Sequence, residues 1–243
     1  MMIDLKIRSH QKEIMDDWQG DSKELERVLK DINRVNRILG GNAITVNAVI
    51  RLIQEHSKES YRILDMGCAE GNMLRELAMA ARKKDIKLDL IGIDLNSDAL
   101  TMARKASIDF PEIVYHKKDI LSADFSEFGC DIVMTTLTIH HFQNSEILNF
   151  VKQFTKLASI GVVINDLHRS ALAYYLFKGF SLIFIKTKVA KIDGLASIRK
   201  GFLKSDLMDL SRSLTNLDHE IAWKWAFRYV WIMRKQRQKN SYE

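Results

Sequence analysis

The sequence predicts an α/β protein built on a doubly wound, mostly parallel sheet. Three observations carry that reading. Short apolar runs alternate with segments of helical period between residues 60 and 166. The run at residues 88–93 is apolar almost without a break, as in a strand buried on both faces of a parallel sheet. The run at residues 62–66 passes straight into the loop Gly67-Cys-Ala-Glu-Gly71 and then into a helix, the junction that makes a ligand site at the carboxyl edge of such a sheet. The 243 residues, 47% of them hydrophobic, exclude a disordered chain and are ample for one large core. A single Pro argues against a long linker, and two Cys argue against a disulfide scaffold. Residues 1–10 lack the apolar stretch of a signal peptide. The longest apolar segment, residues 171–185, is interrupted by Lys178 and falls short of the roughly 18–20 residues of a spanning helix. A soluble, cytoplasmic protein is expected.

Taken in order, the first forty residues read as helix. Leu25, Val28, Leu29, Ile32, Val35, Ile38 and Leu39 fall at a 3–4 spacing on one face, and Gly40-Gly41 stops the run. A second helix covers about residues 43–56. Strands are expected at 62–66, 88–93, 113–116, 131–135 and 161–165. Helices fall between them at 72–84, 97–107 and 145–157, with Asn96 or Ser97 as the N-cap of the second. Residues 171–191 form a long apolar and aromatic segment studded with lysines. A helix at 204–214 follows, and then strands at 219–226 and 227–235 that pair as an antiparallel hairpin at the sheet edge.

The formal net charge of +6 is unevenly placed: residues 1–166 carry a net −3 and residues 167–243 a net +9. Basic character confined to the last third, next to aromatics, points to a membrane surface or an amphiphilic ligand, and equally to a solvated lysine-rich face.

Four stations along the chain carry chemistry. In the loop after the first strand, Gly67 and Gly71 let a ligand approach the backbone, although a tight turn would use them too. The spacing is not G-x-G-x-x-G, because Ala69 and Asn72 stand where a pyrophosphate prefers glycine. Asp94 ends the second strand, where a carboxylate can accept bonds from both hydroxyls of a ribose. Asp119-Ile120 follows the third strand, where the acid can accept from an adenine amino group with Ile120 against the ring, or be an ordinary loop acid. The fourth strand opens onto Thr135-Thr-Leu-Thr-Ile-His-His-Phe142.

Together, in this order, the four stations resemble the class I S-adenosylmethionine-dependent methyltransferases over roughly residues 60–166. The resemblance implies a Rossmann-like seven-stranded sheet of order 3-2-1-4-5-7-6 with strand 7 antiparallel, in agreement with the terminal hairpin. It implies S-adenosylmethionine as cofactor, with Gly67, Cys68, Ala69 and Gly71 holding the methionine part and Asp65 ordering that loop. Asp94 would hold the ribose and Asp119-Ile120 the adenine, with Leu95 and Thr136 in the same binding set. Ala69 departs from the glycine often found in the family and stiffens the loop. Outside the core, Met15-Asp-Asp17, residues 31–41, residues 165–170 and residues 193–199 look like a quinone-biosynthesis-type branch found with type III polyketide synthases or pigment pathways. That likeness implies a phenolic, quinone-like or polyketide-derived acceptor, a helical lid at residues 1–58, a methyltransferase domain at 59–243 and a helical cap insertion at 170–204.

Methyl transfer to a phenol is helped by a general base or a stabilised phenolate. His140 and His141, at the carboxyl end of the fourth strand, are the candidates to orient or deprotonate the acceptor, or else simply close the strand-to-helix turn. Asp166 could pair with Arg169 or support His168. No His spacing suits a metal, and no metal site is expected. The segment 171–191, with Lys178, Lys186, Lys188 and Lys191, would wall a hydrophobic small-molecule acceptor and touch an anionic membrane surface, or be a core helix with snorkelling lysines. Cys68 and Cys130 lie too far apart along neighbouring strands to form a disulfide. The rival readings are an NAD(P)-dependent oxidoreductase and a non-catalytic methyltransferase-like binding domain. No nucleic-acid partner is expected, because the run after the fourth strand lacks the Asn/Asp-Pro-Pro-aromatic pattern that base-amino methylases resemble.

Overall fold

The computed structural model describes residues 3, 5–121 and 124–235. Its strands are β1 (Ser60–Met66), β2 (Lys87–Asp94), β3 (Ile113–Lys117), β4 (Cys130–Thr136), β5 (Ala158–Leu167), β6 (Leu217–Lys224) and β7 (Arg228–Lys235). They form one sheet of order β3-β2-β1-β4-β5-β7-β6. β1 to β5 run parallel, whereas β7 is antiparallel to both β5 and β6. The chain reverses its direction of winding between β1 and β4, so a crevice opens beyond the carboxyl ends of those two strands.

The helices are α1 (Ser22–Ile38), α2 (Gly41–Gln54), α3 (Asn72–Arg82), α4 (Ser97–Ala106), α5 (Asn144–Leu157), α6 (Ala171–Phe184), α7 (Lys188–Lys200) and α8 (Lys204–Arg212). Strand side chains alternate between two cores. On one face Ile63, Leu90 and Ile132 pack with Val49, Leu52, Leu74, Leu77 and Leu100 of α2, α3 and α4. On the other, Leu64, Val133 and Trp231 pack with Phe150 and Phe154 of α5 and Leu207 of α8. Each of these side chains contributes about 2 kcal/mol by leaving water.

Several expected elements change at their ends. Helix does not fill the first forty residues: α1 starts at Ser22, where the Asp21 carboxylate accepts from Glu24 N at 2.7 Å, and a 3-10 turn at Ile14–Asp17 precedes it. Gly40, at φ +68°, ends that helix in the left-handed region, and Gly41 already belongs to α2. The N-cap of α4 is Asn96 rather than Ser97, its Oδ1 accepting from Asp98 N and Ala99 N at 3.0 Å each. The apolar segment 171–191 is not one element but α6 and the start of α7, parted at Ile185, Lys186 and Thr187. There Asp31 of α1 takes over the free N–H groups, its Oδ2 accepting from Lys186 N at 2.9 Å and Thr187 N at 2.7 Å. The hairpin turn covers residues 225–227, so both of its strands end or start a little away from the expected positions. Cys68 and Cys130 are buried free thiols.

Candidate active site

At the end of β1 the chain crosses to β2, with Gly67 N and Cys68 N donating to Ile93 O at 2.9 and 3.0 Å. Gly67 stands at φ +81°, and a Cβ there would lie 2.6 Å from the Thr138 side chain, so the position requires glycine. Ala69 also adopts a left-handed backbone, at φ +46°. For a residue with a Cβ this stores roughly 1–2 kcal/mol of strain. Its N–H donates to Asp94 Oδ2 at 2.8 Å, while Asn96 N donates to Asp94 Oδ1 at 2.8 Å. Asp94 is therefore fixed at the crevice edge with lone pairs still free on both oxygens. Burial raises its pKa and those backbone N–H groups oppose the rise. Asp65 is buried behind the loop, and burial, then the charge of Asp94, push it up to about 8. Cys68 is buried, and burial above all holds its thiol well above its ordinary value, which disfavours the thiolate.

Further round the rim, Leu95 is 60% exposed beside Asp94, an apolar surface without cover. Asp119 Oδ1 accepts from Leu121 N at 2.9 Å and Ile120 is buried. Thr136 Oγ1 hydrogen-bonds Thr45 Oγ1 at 2.8 Å, which joins β4 to α2. Leu137, next in the chain, lines a second cavity, and Thr138 abuts Gly67.

That second cavity has a volume of about 440 Å³. Its walls are apolar for the most part: Ile32 and Val35 of α1, Phe177 and Phe180 of α6, Ile185 just past the end of α6, and Ala190 in the first turn of α7. Polar groups are few, and they are Glu13, Asn36, His140, His141, Asp193, Ser197 and Arg228. His140 Nδ1 hydrogen-bonds Asp166 Oδ1 at 2.7 Å, with both residues buried. Its Nε2 faces Glu13 Oε1 at 3.5 Å, an ion pair between two buried side chains. Burial alone would lower the pKa of His140, but Asp166 and then Glu13 outweigh it and raise it to about 9. His140 is thus an imidazolium at neutral pH. Glu13 feels burial upward, yet His140, His141 and Lys200 bring it down to about 2. His141 is less buried and bonds Asp16 Oδ1 through Nδ1 at 2.5 Å.

Glu13, His140 and His141 each bring one potential ligand atom to within 4.8 Å of the others, a grouping the sequence expectation of no metal site does not anticipate. A cation already serves it. Lys200, itself buried, sets Nζ 3.1 Å from Glu13 Oε1 and 3.4 Å from Asp16 Oδ2.

The expected cofactor residues Asp65, Gly67, Cys68, Ala69, Gly71, Asp94, Leu95, Asp119, Ile120 and Thr136 all lie on β1, β2 and β4 or on the loops that follow β1, β2 and β3. His140 and Asp166 come together, whereas the expected pairings of Asp166 with Arg169 and with His168 do not form. Arg169 Nη1 instead meets Asp206 Oδ2 at 3.0 Å, and His168 Nδ1 accepts from Trp223 Nε1 at 3.3 Å. The sequence reading omits Glu13, Lys200, Arg228 and Arg8. Arg8 Nη2 donates to His140 O at 2.8 Å and Phe142 O at 2.7 Å, and so holds the backbone that carries the histidine.

Residues 63–161 match a protein family described as methyltransferase domain. No curated protein matches the chain in sequence. Among solved structures, the chain is similar to the plantazolicin methyltransferase BpumL in complex with SAH, at 16% identity and a TM-score of 0.68 over 92% of this chain and 94% of that one. It is also similar to magnesium protoporphyrin IX methyltransferase (ChlM) from Synechocystis PCC 6803 with bound SAH, at 13% identity and a TM-score of 0.61 over 92% and 99% of the two chains. A SAM-dependent methyltransferase from Aquifex aeolicus gives 13% identity and a TM-score of 0.55 over 77% and 88%. Residues 63–161 thus match a methyltransferase domain, and the chain as a whole has the Rossmann-like fold of these methyltransferase structures.

Proposed function

We propose that the chain is a class I S-adenosylmethionine-dependent methyltransferase whose acceptor is a hydrophobic small molecule of phenolic, quinone-like or polyketide-derived chemistry. The observation that carries this reading is the apolar cavity with a buried Asp166–His140–Glu13 line. It abuts the glycine loop through Leu137 and Thr138. The residues at the crevice suit the cofactor. Gly67 and Gly71 hold the loop in left-handed backbone with Thr138 and Tyr115 packed against them, Asp94 keeps lone pairs for two vicinal hydroxyls, and exposed Leu95 offers an apolar wall to a base. The cofactor supplies a methyl group on a sulfonium, already activated for in-line displacement.

The chain's own residues then have to align and exclude water. Alignment of well-oriented reactants contributes on the order of 7–11 kcal/mol. His140, charged at neutral pH, orients the acceptor and steadies, as a donor, the oxygen of a phenolate whose proton has left to solvent. Asp166 fixes the ring through Nδ1, leaving Nε2 toward Glu13, and His141 stands at the rim. The methyltransferase domain is 59–243, residues 1–58 act as the lid and 170–204 as a cap, a division supported by the cavity walls that α1, α6 and α7 supply. The protein acts in the cytoplasm, where its free thiols suit a reducing compartment. Calorimetry tests the reading directly: S-adenosylhomocysteine is expected to bind and NADH is not, with Asp94→Ala weakening the former about tenfold or more. Binding of NADH in preference to S-adenosylhomocysteine overturns it.

A further inference from the structure

Arg228 opens β7, and its side chain is only 3% exposed. Nη2 donates to Asn36 Oδ1 at 2.7 Å. The guanidinium lies against the backbone of Gly41, where a Cβ would sit 2.7 Å from Cζ, so the glycine at the start of α2 is what makes room for it. Nη1 is buried and has no hydrogen-bond partner among the described residues. The whole group lines the 440 Å³ cavity. Among the described residues Asp166 is the acidic group that acts on it electrostatically, and Asp166 is committed elsewhere. Its Oδ1 accepts from His140 Nδ1 and Leu167 N, and its Oδ2 from His140 N. Burial brings Arg228 down to about 10, so the charge persists at neutral pH.

A buried cation without a counter-ion costs several kcal/mol, and the penalty is relieved only when an anion arrives. The walls around it are apolar, which raises the strength of any such pairing. We propose that the acceptor is an apolar molecule bearing a carboxylate, and that Arg228 Nη1 is its anchor. The apolar body then lies between α1 and α6, against Val35, Phe177 and Phe180. A guanidinium matches a carboxylate's geometry as an ammonium does not. This rests on the proposed methyltransferase reading only in naming the bound acid as the methyl acceptor.

A matched pair of probes separates the anchor from mere apolar burial: 6-pentylsalicylate and its decarboxylated counterpart 3-pentylphenol, titrated by calorimetry into the full chain with saturating S-adenosylhomocysteine at pH 7. The acid is expected to bind at least about tenfold more tightly than the phenol. Arg228→Gln should erase that preference while leaving the affinities for the phenol and for S-adenosylhomocysteine unchanged, and Arg228→Lys should restore only part of it. Equal affinity for both probes, no binding of either, or a preference that survives Arg228→Gln overturns the proposal. Should Arg228→Gln fail to fold, judged by circular dichroism, the wild-type preference and the Arg228→Lys variant decide. Should S-adenosylhomocysteine fail to bind while the acid preference holds, the methyltransferase reading falls and the anchor stands.

Discussion

His140 sits between two carboxylates in an apolar cavity, and this gives it opposite tendencies. Burial favours the neutral ring, while Asp166 at 2.7 Å and Glu13 at 3.5 Å favour the charged one and win. The folded pKa of about 9 exceeds the ordinary 6.5, so the stability it contributes is complete below pH 6.5 and lost as pH rises through about 9. Glu13 runs the other way: its folded value of about 2 lies below the ordinary 4.5, so its contribution is present above pH 4.5 and lost as pH falls toward 2. The pair therefore gives a plateau between about pH 4.5 and 6.5. Urea unfolding is expected to show the wild-type chain losing on the order of 3 kcal/mol between pH 6.5 and 9 through this group. His140→Gln should flatten that slope whatever its effect on absolute stability. A slope unchanged by the substitution would show that His140 does not carry the charge.

Elements around the cavity are tied together by carboxylates that cap helices other than their own. Asp31, in the middle of α1, accepts from Lys186 N and Thr187 N at the start of α7, and Asp193 of α7 accepts from Ile14 N and Met15 N at 2.9 and 3.0 Å. Met15-Asp-Asp17, Asp31 and Asp193, which the sequence reading singles out by resemblance, thus meet as structural clasps. Asp31→Ala and Asp193→Ala are each expected to destabilise by about 1.5–3 kcal/mol in urea unfolding. In hydrogen exchange, Asp31→Ala should deprotect the first turn of α7 before the rest of the chain, and uniform deprotection would argue against a local cap. The contrast also explains what was legible in the sequence. β1, β2 and the loop at Gly67 follow from apolar runs and glycine spacing that neighbouring residues set. The break between α6 and α7 does not, because the group that ends one helix and starts the next lies 155 residues away. Glu13, Lys200 and Arg228 were illegible for the same reason: each is an ordinary charged residue until the fold carries it into an apolar wall.

Across the whole molecule, the positive charge gathers where the apolar surface is left uncovered. α6 exposes Leu172, Leu176, Leu182 and Ile183, the last two at 73% and 79%, and none of the described elements covers them. Lys178 lies on the same helix, with Lys186 and Lys188 just beyond its end. Leu176 and Trp225 are exposed and also line the cavity, so this surface is continuous with its mouth. No described helix is long and apolar enough to cross a membrane. Contact of this uncovered apolar surface with an anionic interface would bury apolar area and add roughly 1 kcal/mol per basic residue near the surface. The chain is therefore expected to float with vesicles containing phosphatidylserine and to remain behind with purely zwitterionic ones. Raising the salt should weaken the association by screening the lysines. Leu182→Ser with Ile183→Ser should abolish it without changing affinity for S-adenosylhomocysteine, because neither side chain borders the glycine loop or the cavity. Absence of flotation with both vesicle types would return α6 to the role of a cavity wall and nothing more.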